Sequence, residues 1–198
     1  MKKLLLLASF ATLLQTTSCI NTEREMGTAK SPQVFTPTPE AQRSRLNSRS
    51  VLNAVRTTHY FSNTKAKDNF VLLLQGPKIA TAQARFLILS SKGDTLRNEV
   101  IPATALMSDS DLGDAPATTV RDKELAILKA MNSFFKEDRF VQPAVARSAA
   151  QPAEIDPQAW ASVKEDSKAV GFDYISNNGR ERRIAYAKKL QKAVVIAE

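Results

Sequence analysis

Cysteine and histidine are nearly absent from this chain of 198 residues, which has one of each, Cys19 and His59. A single cysteine cannot form an intramolecular disulfide, so packing and hydrogen bonds must stabilise the fold. With one of each, a zinc site made of several Cys and His ligands is excluded, and no Cys-His pair or Ser-His-Asp triad is predicted. His59, beside Tyr60, is predicted to be a surface or partly packed residue, and no catalytic residue, metal ligand or cofactor is predicted.

Glycine is also scarce, with six residues, and none of them forms a glycine-rich phosphate loop. Residues 109–114 (DSDLGD) share features with a calcium loop, but Gly113 occupies the fifth loop position and Val120 the twelfth, where oxygen ligands are needed. We therefore predict a solvated loop there. The twenty acidic residues keep a carboxylate-dependent hydrolase open as an alternative, because their separation in space is not visible in the sequence.

The amino terminus has the three parts of a secretory signal peptide. Two lysines, Lys2 and Lys3, precede an eleven-residue apolar run at 4–14, and residues 15–18 are small and polar. A membrane-spanning helix needs about 20 apolar residues, so this run is too short to cross a bilayer stably. Residues 1–18 are therefore predicted to be a signal peptide.

The signal peptide ends in Thr16-Thr17-Ser18-Cys19, which resembles the lipobox of bacterial lipoproteins. The resemblance implies that the Cys19 thiol receives a diacylglyceryl group, that the chain is cut just before Cys19, and that the new amino group is acylated. Thr16 departs from the family, which prefers leucine there. Two or more acyl chains anchor a protein durably, so the lipid bilayer is the first predicted partner. Position 20 is isoleucine, whereas an aspartate after the cysteine is associated with retention in the inner membrane. The predicted location is therefore the outer membrane, on its periplasmic face or at the surface.

The segment that follows, residues 19–50, contains three prolines and many Ser, Thr, Arg and Gln residues, and is predicted to be a disordered tether for a single domain at 51–198. Removal of the two signal-peptide lysines lowers the formal charge of +8 to +6. A net positive charge of this size suggests anionic lipid, wall polymer or an envelope protein as a partner. Export makes nucleic acid an unsuitable partner.

Three short apolar runs predict strands: residues 69–75 (NFVLLLQ), 84–91 (ARFLILSS) and 95–101 (TLRNEVI). Gly93 lies between the last two, which predicts a hairpin. From Thr118 or Thr119 the apolar period becomes helical, with Leu125, Leu128, Met131 and Phe135 on one face and an end near Asp138.

A second, shorter helix is predicted from Asp156-Pro157, where Asp caps and Pro takes the first helical position. Asn178-Gly179 predicts a two-residue hairpin, and a turn at 188–191 completes a meander that ends with 193–197. The predicted class is α+β, with an antiparallel sheet made of a hairpin and a C-terminal meander packed against one long and one short helix.

The body is also similar to uncharacterised small lipoproteins of Bacteroidota, in SFFKEDRFVQPAVA, in AWASVKEDSKAVGFDYI and in GRERRIAYAKKLQKAVV. The resemblance covers roughly residues 69–198. It implies export and anchoring, and it carries no functional residues with it.

A basic cluster near the carboxyl end is the remaining local feature: Arg180, Arg182, Arg183, Lys188, Lys189 and Lys192. Because side chains alternate along a strand, Arg182 and Arg183 are expected on opposite faces. The cluster is interpreted first as protection of a sheet edge, and alternatively as a contact with an anionic surface.

These features favour a membrane-anchored envelope lipoprotein that is a non-catalytic binding or structural module. Two alternatives stay open. One is a small carboxylate-dependent envelope hydrolase. The other is an assembly subunit joined by strand addition, for which an unpaired edge at 193–197 would be the sign.

Overall fold

The computed structural model describes residues 46–107 and 119–198. Within these ranges the chain forms eight strands and two α-helices, in the order β1 Val51–His59, β2 Asp68–Gln75, β3 Gln83–Leu89, β4 Thr95–Pro102, α1 Val120–Asn132, β5 Phe140–Val141, α2 Pro157–Lys164, β6 Gly171–Ile175, β7 Glu181–Ala187 and β8 Lys192–Ala197. All paired strands are antiparallel. The predicted α+β class is confirmed.

The strands form two four-stranded sheets, sheet A with the order β1-β2-β3-β4 and sheet B with the order β5-β6-β7-β8. Each sheet follows the order of the sequence, so neighbouring strands are also neighbours along the chain. The predicted hairpin around Gly93 is β3–β4 of sheet A, and the predicted C-terminal meander is β6 to β8 of sheet B. Strand β1 was not predicted, because none of the three apolar runs at 69–75, 84–91 and 95–101 includes its residues.

The β6–β7 hairpin has a loop one residue longer than the two-residue turn expected at Asn178-Gly179. The Ser176 N–H donates to the Arg180 carbonyl over 2.8 Å, and the Gly179 N–H donates to the Ser176 carbonyl over 3.0 Å. This is a type I turn followed by a left-handed residue, and Gly179 takes that conformation with φ of 77°. The β3–β4 hairpin has the same bond pattern, with Gly93 in the equivalent place.

A central core lies between one face of sheet A, one face of sheet B and α1. The alternation of side chains along the strands produces this core. On β2, Phe70, Leu72 and Leu74 point to one face and are fully buried, whereas Asn69 points to the other face and is exposed. The largest fully buried side chains of the core include aromatic rings from both sheets and from the segment after α1: Phe70, Phe86, Phe134, Phe172 and Tyr174. The opposite face of sheet B packs against α2 in a second core.

Helix α1 begins where its capping residues predict. Thr119 and Asp122 form a capping box, in which the Asp122 N–H donates to Thr119 Oγ1 over 3.2 Å and the Thr119 N–H donates to Asp122 Oδ2 over 2.9 Å. The helix ends at Asn132, earlier than the predicted end near Asp138. Phe134 and Phe135 are both buried, and adjacent residues of an α-helix point about 100° apart, so leaving the helix lets both rings enter the central core.

Helix α2 matches its prediction. The Asp156 carboxylate accepts the Gln158 N–H over 3.1 Å and Pro157 takes the first helical position. Trp160 and Val163 are buried in the second core. Neither described helix is long and apolar enough to span a membrane.

A polar network, which we call the Glu99 network, joins the two sheets at one side of the central core. Glu99 on β4 accepts the Tyr174 hydroxyl of β6 over 2.6 Å and Arg182 Nη1 of β7 over 3.1 Å. Arg97 pairs with Glu99 and donates to the Tyr174 oxygen over 3.1 Å, and Arg182 also pairs with Glu198. Charged side chains therefore connect strands of sheet A to strands of sheet B.

Candidate functional site

A cleft of about 350 Å³ opens where the end of β1 meets the segment around β5 and the loops that flank sheet B. We call it the His59 cleft. Four stretches of chain line it, with aromatic, amide and charged side chains: His59, Tyr60, Phe61, Asn63, Glu137, Phe140, Gln142, Asp166, Lys168 and Lys188. A concave site with a few convergent polar groups is the usual form of a small-ligand site.

His59 is held in the wall of the cleft by an aromatic contact. Its ring stacks on Phe140 with centroids 3.5 Å apart and an interplanar angle of 12°, and Nε2 lies 3.4 Å from Glu137 Oε1. Burial of the ring and the positive charge of Lys67 lower the pKa of His59 and the Glu137 carboxylate raises it, and the net pKa is below the ordinary value of 6.5. The imidazole is therefore neutral at pH 7.

Asp166 supplies a fixed negative charge on the other side of the cleft. Lys188 Nζ lies 2.6 Å from Asp166 Oδ2, and the Lys168 N–H donates to Asp166 Oδ1 over 3.1 Å. Partial burial raises the pKa of the Asp166 carboxyl, but the hydrogen bonds and positive charges of Lys188 and Lys168 together lower it by more. Gln142 Nε2 donates to the Lys168 carbonyl over 2.9 Å and ties this loop to the end of β5.

The cleft thus combines two cationic side chains, two carboxylates and the Tyr60 ring, which is 47% exposed and has Lys67 Nζ over it, 5.4 Å from the ring centroid. The polar neighbour of His59 is a carboxylate, whereas nucleophilic catalysis needs a base beside a hydroxyl or thiol. No group of three or more His, Cys, Asp or Glu side chains that could hold a metal ion occurs among residues 46–107 and 119–198. The arrangement is suited to binding a ligand of mixed charge.

Lowering the pH from about 7.5 to about 5 is expected to destabilise the wild-type chain more than His59→Gln. The pKa of His59 lies below 6.5 in the folded state, so the unfolded chain takes up the proton first as the pH falls. The contribution of His59 to stability is therefore present above about pH 6.5 and is lost as the pH falls through the folded-state pKa. Urea unfolding at both pH values measures it, and an equal loss in both proteins would contradict the assignment.

The basic cluster is largely paired within the protein. Four of its members contact acids: Arg182 with Glu99 and Glu198, Arg183 with Asp173, Lys188 with Asp166 and Lys189 with Glu165. Arg182 and Arg183 reach different partners on opposite faces of β7, as alternation predicts. Arg180 and Lys192 are exposed and form no ion pair with any residue that the structure describes.

The structure therefore does not bring the six basic residues together as one plate, and Lys188 alone of them lines the His59 cleft. The predicted signal peptide at 1–18, Cys19, the first part of the predicted tether (up to residue 45) and the acidic loop at 109–114 lie outside the described residues. The cleft was not predicted from the sequence. Of its residues, the sequence singles out His59, as a surface or partly packed residue, and Lys188, as a member of the basic cluster. No local motif marks its residues, which come from distant parts of the chain.

Comparison of the chain with protein-family models, with curated proteins and with solved structures gave no match.

Proposed function

We propose that this chain is a lipoprotein of the bacterial cell envelope, anchored in the outer membrane through an acylated Cys19, and that its body is a non-catalytic binding module. The ligand we propose for the His59 cleft is a fragment of cell-wall polymer, a glycan-peptide segment that carries both amino and carboxylate groups.

The observation that carries the binding role is the juxtaposition of charge and ring surface in one cleft. Lys168 can pair with a ligand carboxylate, and Glu137, whose side chain is 84% exposed, can pair with a ligand amine. Tyr60 offers an aromatic face of the kind that packs on the apolar side of a sugar or an aliphatic side chain. A wall glycopeptide presents all three chemical groups.

An anionic lipid surface is supported less well. Such a surface attracts unpaired cations, at about 1 kcal/mol for each Lys or Arg near it. Four of the six residues of the basic cluster already contact carboxylates within the protein. Most of the positive charge of the cluster is therefore already balanced by carboxylates of the protein itself.

A carboxylate-dependent hydrolase has one feature in its favour, because Glu137 and Asp166 line the same cleft. A general acid needs a raised pKa, which burial in apolar surroundings provides. The pKa of Asp166 is lowered by its hydrogen bonds, and Glu137 is exposed to water. The cleft therefore fits binding better than proton transfer to a leaving group.

Binding is tested by titrating soluble wall glycopeptides into the full chain in detergent, with isothermal calorimetry as the readout. Tyr60→Ala and Lys168→Ala are each expected to weaken binding about tenfold, equal to about 1.4 kcal/mol. The matched control is the double variant Arg180→Ala and Lys192→Ala, which removes two exposed cations outside the cleft and should leave the affinity unchanged. Weaker binding by the control alone would favour an anionic-surface contact instead.

Anchoring makes a separate prediction about Cys19. Cys19→Ser is expected to abolish both lipid attachment and cleavage before residue 19, because a hydroxyl cannot form the thioether. The measurements are incorporation of labelled palmitate and the mass of the amino-terminal peptide. A wild-type protein that takes up no palmitate, or whose mature chain starts elsewhere, would refute the anchor.

A further inference from the structure

Strand β8 is an edge of sheet B, because β7 is its one neighbour in the sheet order. Its six residues span about 20 Å, at about 3.3 Å per residue. In the described part of the chain, no backbone hydrogen bond joins β8 to any strand other than β7. Every second N–H and C=O group of β8 therefore points away from the sheet without a backbone partner.

This free edge lines a groove of about 340 Å³. Four consecutive residues, Lys192 to Val195, contribute to the groove, together with Glu198. Side chains alternate between the two faces of a strand, so four consecutive residues can line one groove only if their backbone edge faces it. The opposite wall comes from the segment before α2 and its first turn, with Glu154, Ile155, Asp156 and Ala159.

The groove is acidic, although the chain as a whole is basic. Glu154, Asp156 and Glu198 line it, against one cation, Lys192. Glu198 is also paired with Arg182 and Asp156 caps α2, whereas Glu154 is exposed on the rim. The charge of the walls favours an occupant that carries lysine or arginine.

We propose that an extended, basic peptide segment of another protein binds along β8 as a fifth strand of sheet B. Its backbone pairs with the free N–H and C=O groups of β8, which is the mode of strand addition, and its cationic side chains face Glu154 and Asp156. This inference goes beyond the proposed function and concerns a surface separate from the His59 cleft.

A second copy of this chain fits the groove less well. Symmetric pairing of two β8 strands would bring each strand close to the acidic wall of the other copy. Glu154 and Asp156 of the two copies would then repel one another, with one Lys192 from each copy to offset them, whereas Glu198 is already paired with Arg182. The charge pattern therefore selects a basic partner.

The test is hydrogen exchange, measured by mass spectrometry on the full chain in detergent. The probe is a synthetic peptide of about eight residues that alternates threonine with lysine or valine, a pattern typical of a strand. We expect exchange in fragments that contain residues 192–197 to slow about tenfold when the peptide is saturating. A peptide of the same sequence with methylated backbone nitrogens cannot pair and should give no protection.

Two charge variants distinguish binding in the groove from non-specific electrostatic attraction between the peptide and the protein. Glu154→Lys is expected to weaken binding of the probe peptide about fivefold or more, because it reverses a wall charge. Glu181→Lys makes the same change at an exposed residue of β7 that does not line the groove, and should leave binding unchanged.

Five results would overturn the proposal, the first four of which concern the peptide and the charge variants. These four are no slowing at residues 192–197, equal protection by the methylated peptide, equal weakening by both charge variants, and protection of β1 in place of β8. Slowing that depends on protein concentration without any peptide would assign the edge to a second copy and would also overturn it.

Discussion

Replacing Phe172 by alanine is expected to lower the free energy of unfolding by about 3–5 kcal/mol. The side chain is fully buried between the two sheets. Its ring centroid lies 4.7 to 5.9 Å from those of six other rings: Phe70, Phe86, Phe134, Phe135, Phe140 and Tyr174. Removing the ring opens a cavity lined by rings from both sheets and from the segment after α1. Urea unfolding followed by circular dichroism measures the loss.

The control for this prediction is Tyr60→Ala, which removes an aromatic ring that is 47% exposed and should change stability by about 0.5 kcal/mol or less. Phe172→Leu provides a milder core change in case the alanine variant does not fold, and should cost about 1–2 kcal/mol. A loss below about 1 kcal/mol for Phe172→Ala would show that this ring is not part of the central core.

The strands that could be predicted most directly are those that carry an unbroken apolar run. Strand β2 carries the run VLLL, and β3 carries FLIL, because both lie inside sheet A and bury one face completely. Strand β1 reads VLNAVRTTH and lies at an edge. From Asn53 onward its residues alternate between half-buried and exposed, and the half-buried face accommodates polar residues such as Asn53 and Thr57. The strand therefore has no continuous apolar run from which it could be predicted.

The end of α1 shows a second limit of local patterns. The helical period of apolar residues runs through to Phe135, and this continuity predicted an end near Asp138. The rings of Phe134 and Phe135 are both drawn into the central core by residues of other elements, which the local sequence does not contain. Tertiary packing therefore overrides local periodicity at this point.

The candidate site was even less predictable, because its geometry depends on contacts between distant residues. His59 packs on Phe140, and Asp166 pairs with Lys188, so the two walls join parts of the chain that are far apart in sequence. The basic cluster was visible in the sequence, but the acids that neutralise it were not assignable. Glu99, for example, reaches Arg182 only because the two sheets pack face to face.

Glu99 is the centre of the polar network that joins the sheets, and its ionisation matters for stability. Burial raises the pKa of its carboxyl, but hydrogen bonds from Tyr174 and Arg97 and the charge of Arg182 lower it by more. Burial and Glu99 together raise the pKa of Tyr174 to about 12, so its hydroxyl remains a donor throughout the neutral range. Glu99 is thus held as an anion between two arginines.

We expect Glu99→Ala to lower the free energy of unfolding by about 3 kcal/mol. The substitution leaves Arg97 and Arg182, whose side chains are 21% and 15% exposed, without the carboxylate between them. Glu99→Gln keeps an acceptor for the Tyr174 hydroxyl and should cost less. Glu181→Gln, which changes an exposed acid of β7, should have almost no effect.

The same network predicts a dependence on pH that separates charge from packing. Because the pKa of Glu99 is lower in the folded state than its ordinary value of 4.5, the unfolded chain binds the proton more readily. The contribution of Glu99 to stability is therefore fully present above about pH 4.5 and is lost as the pH falls through the folded-state pKa. Between about pH 6 and about pH 3, Glu99→Gln should consequently lose less stability than the wild type. Parallel pH profiles for the two proteins would mean that the carboxylate contributes through its shape and hydrogen bonds, and that its charge does not help hold the two sheets together.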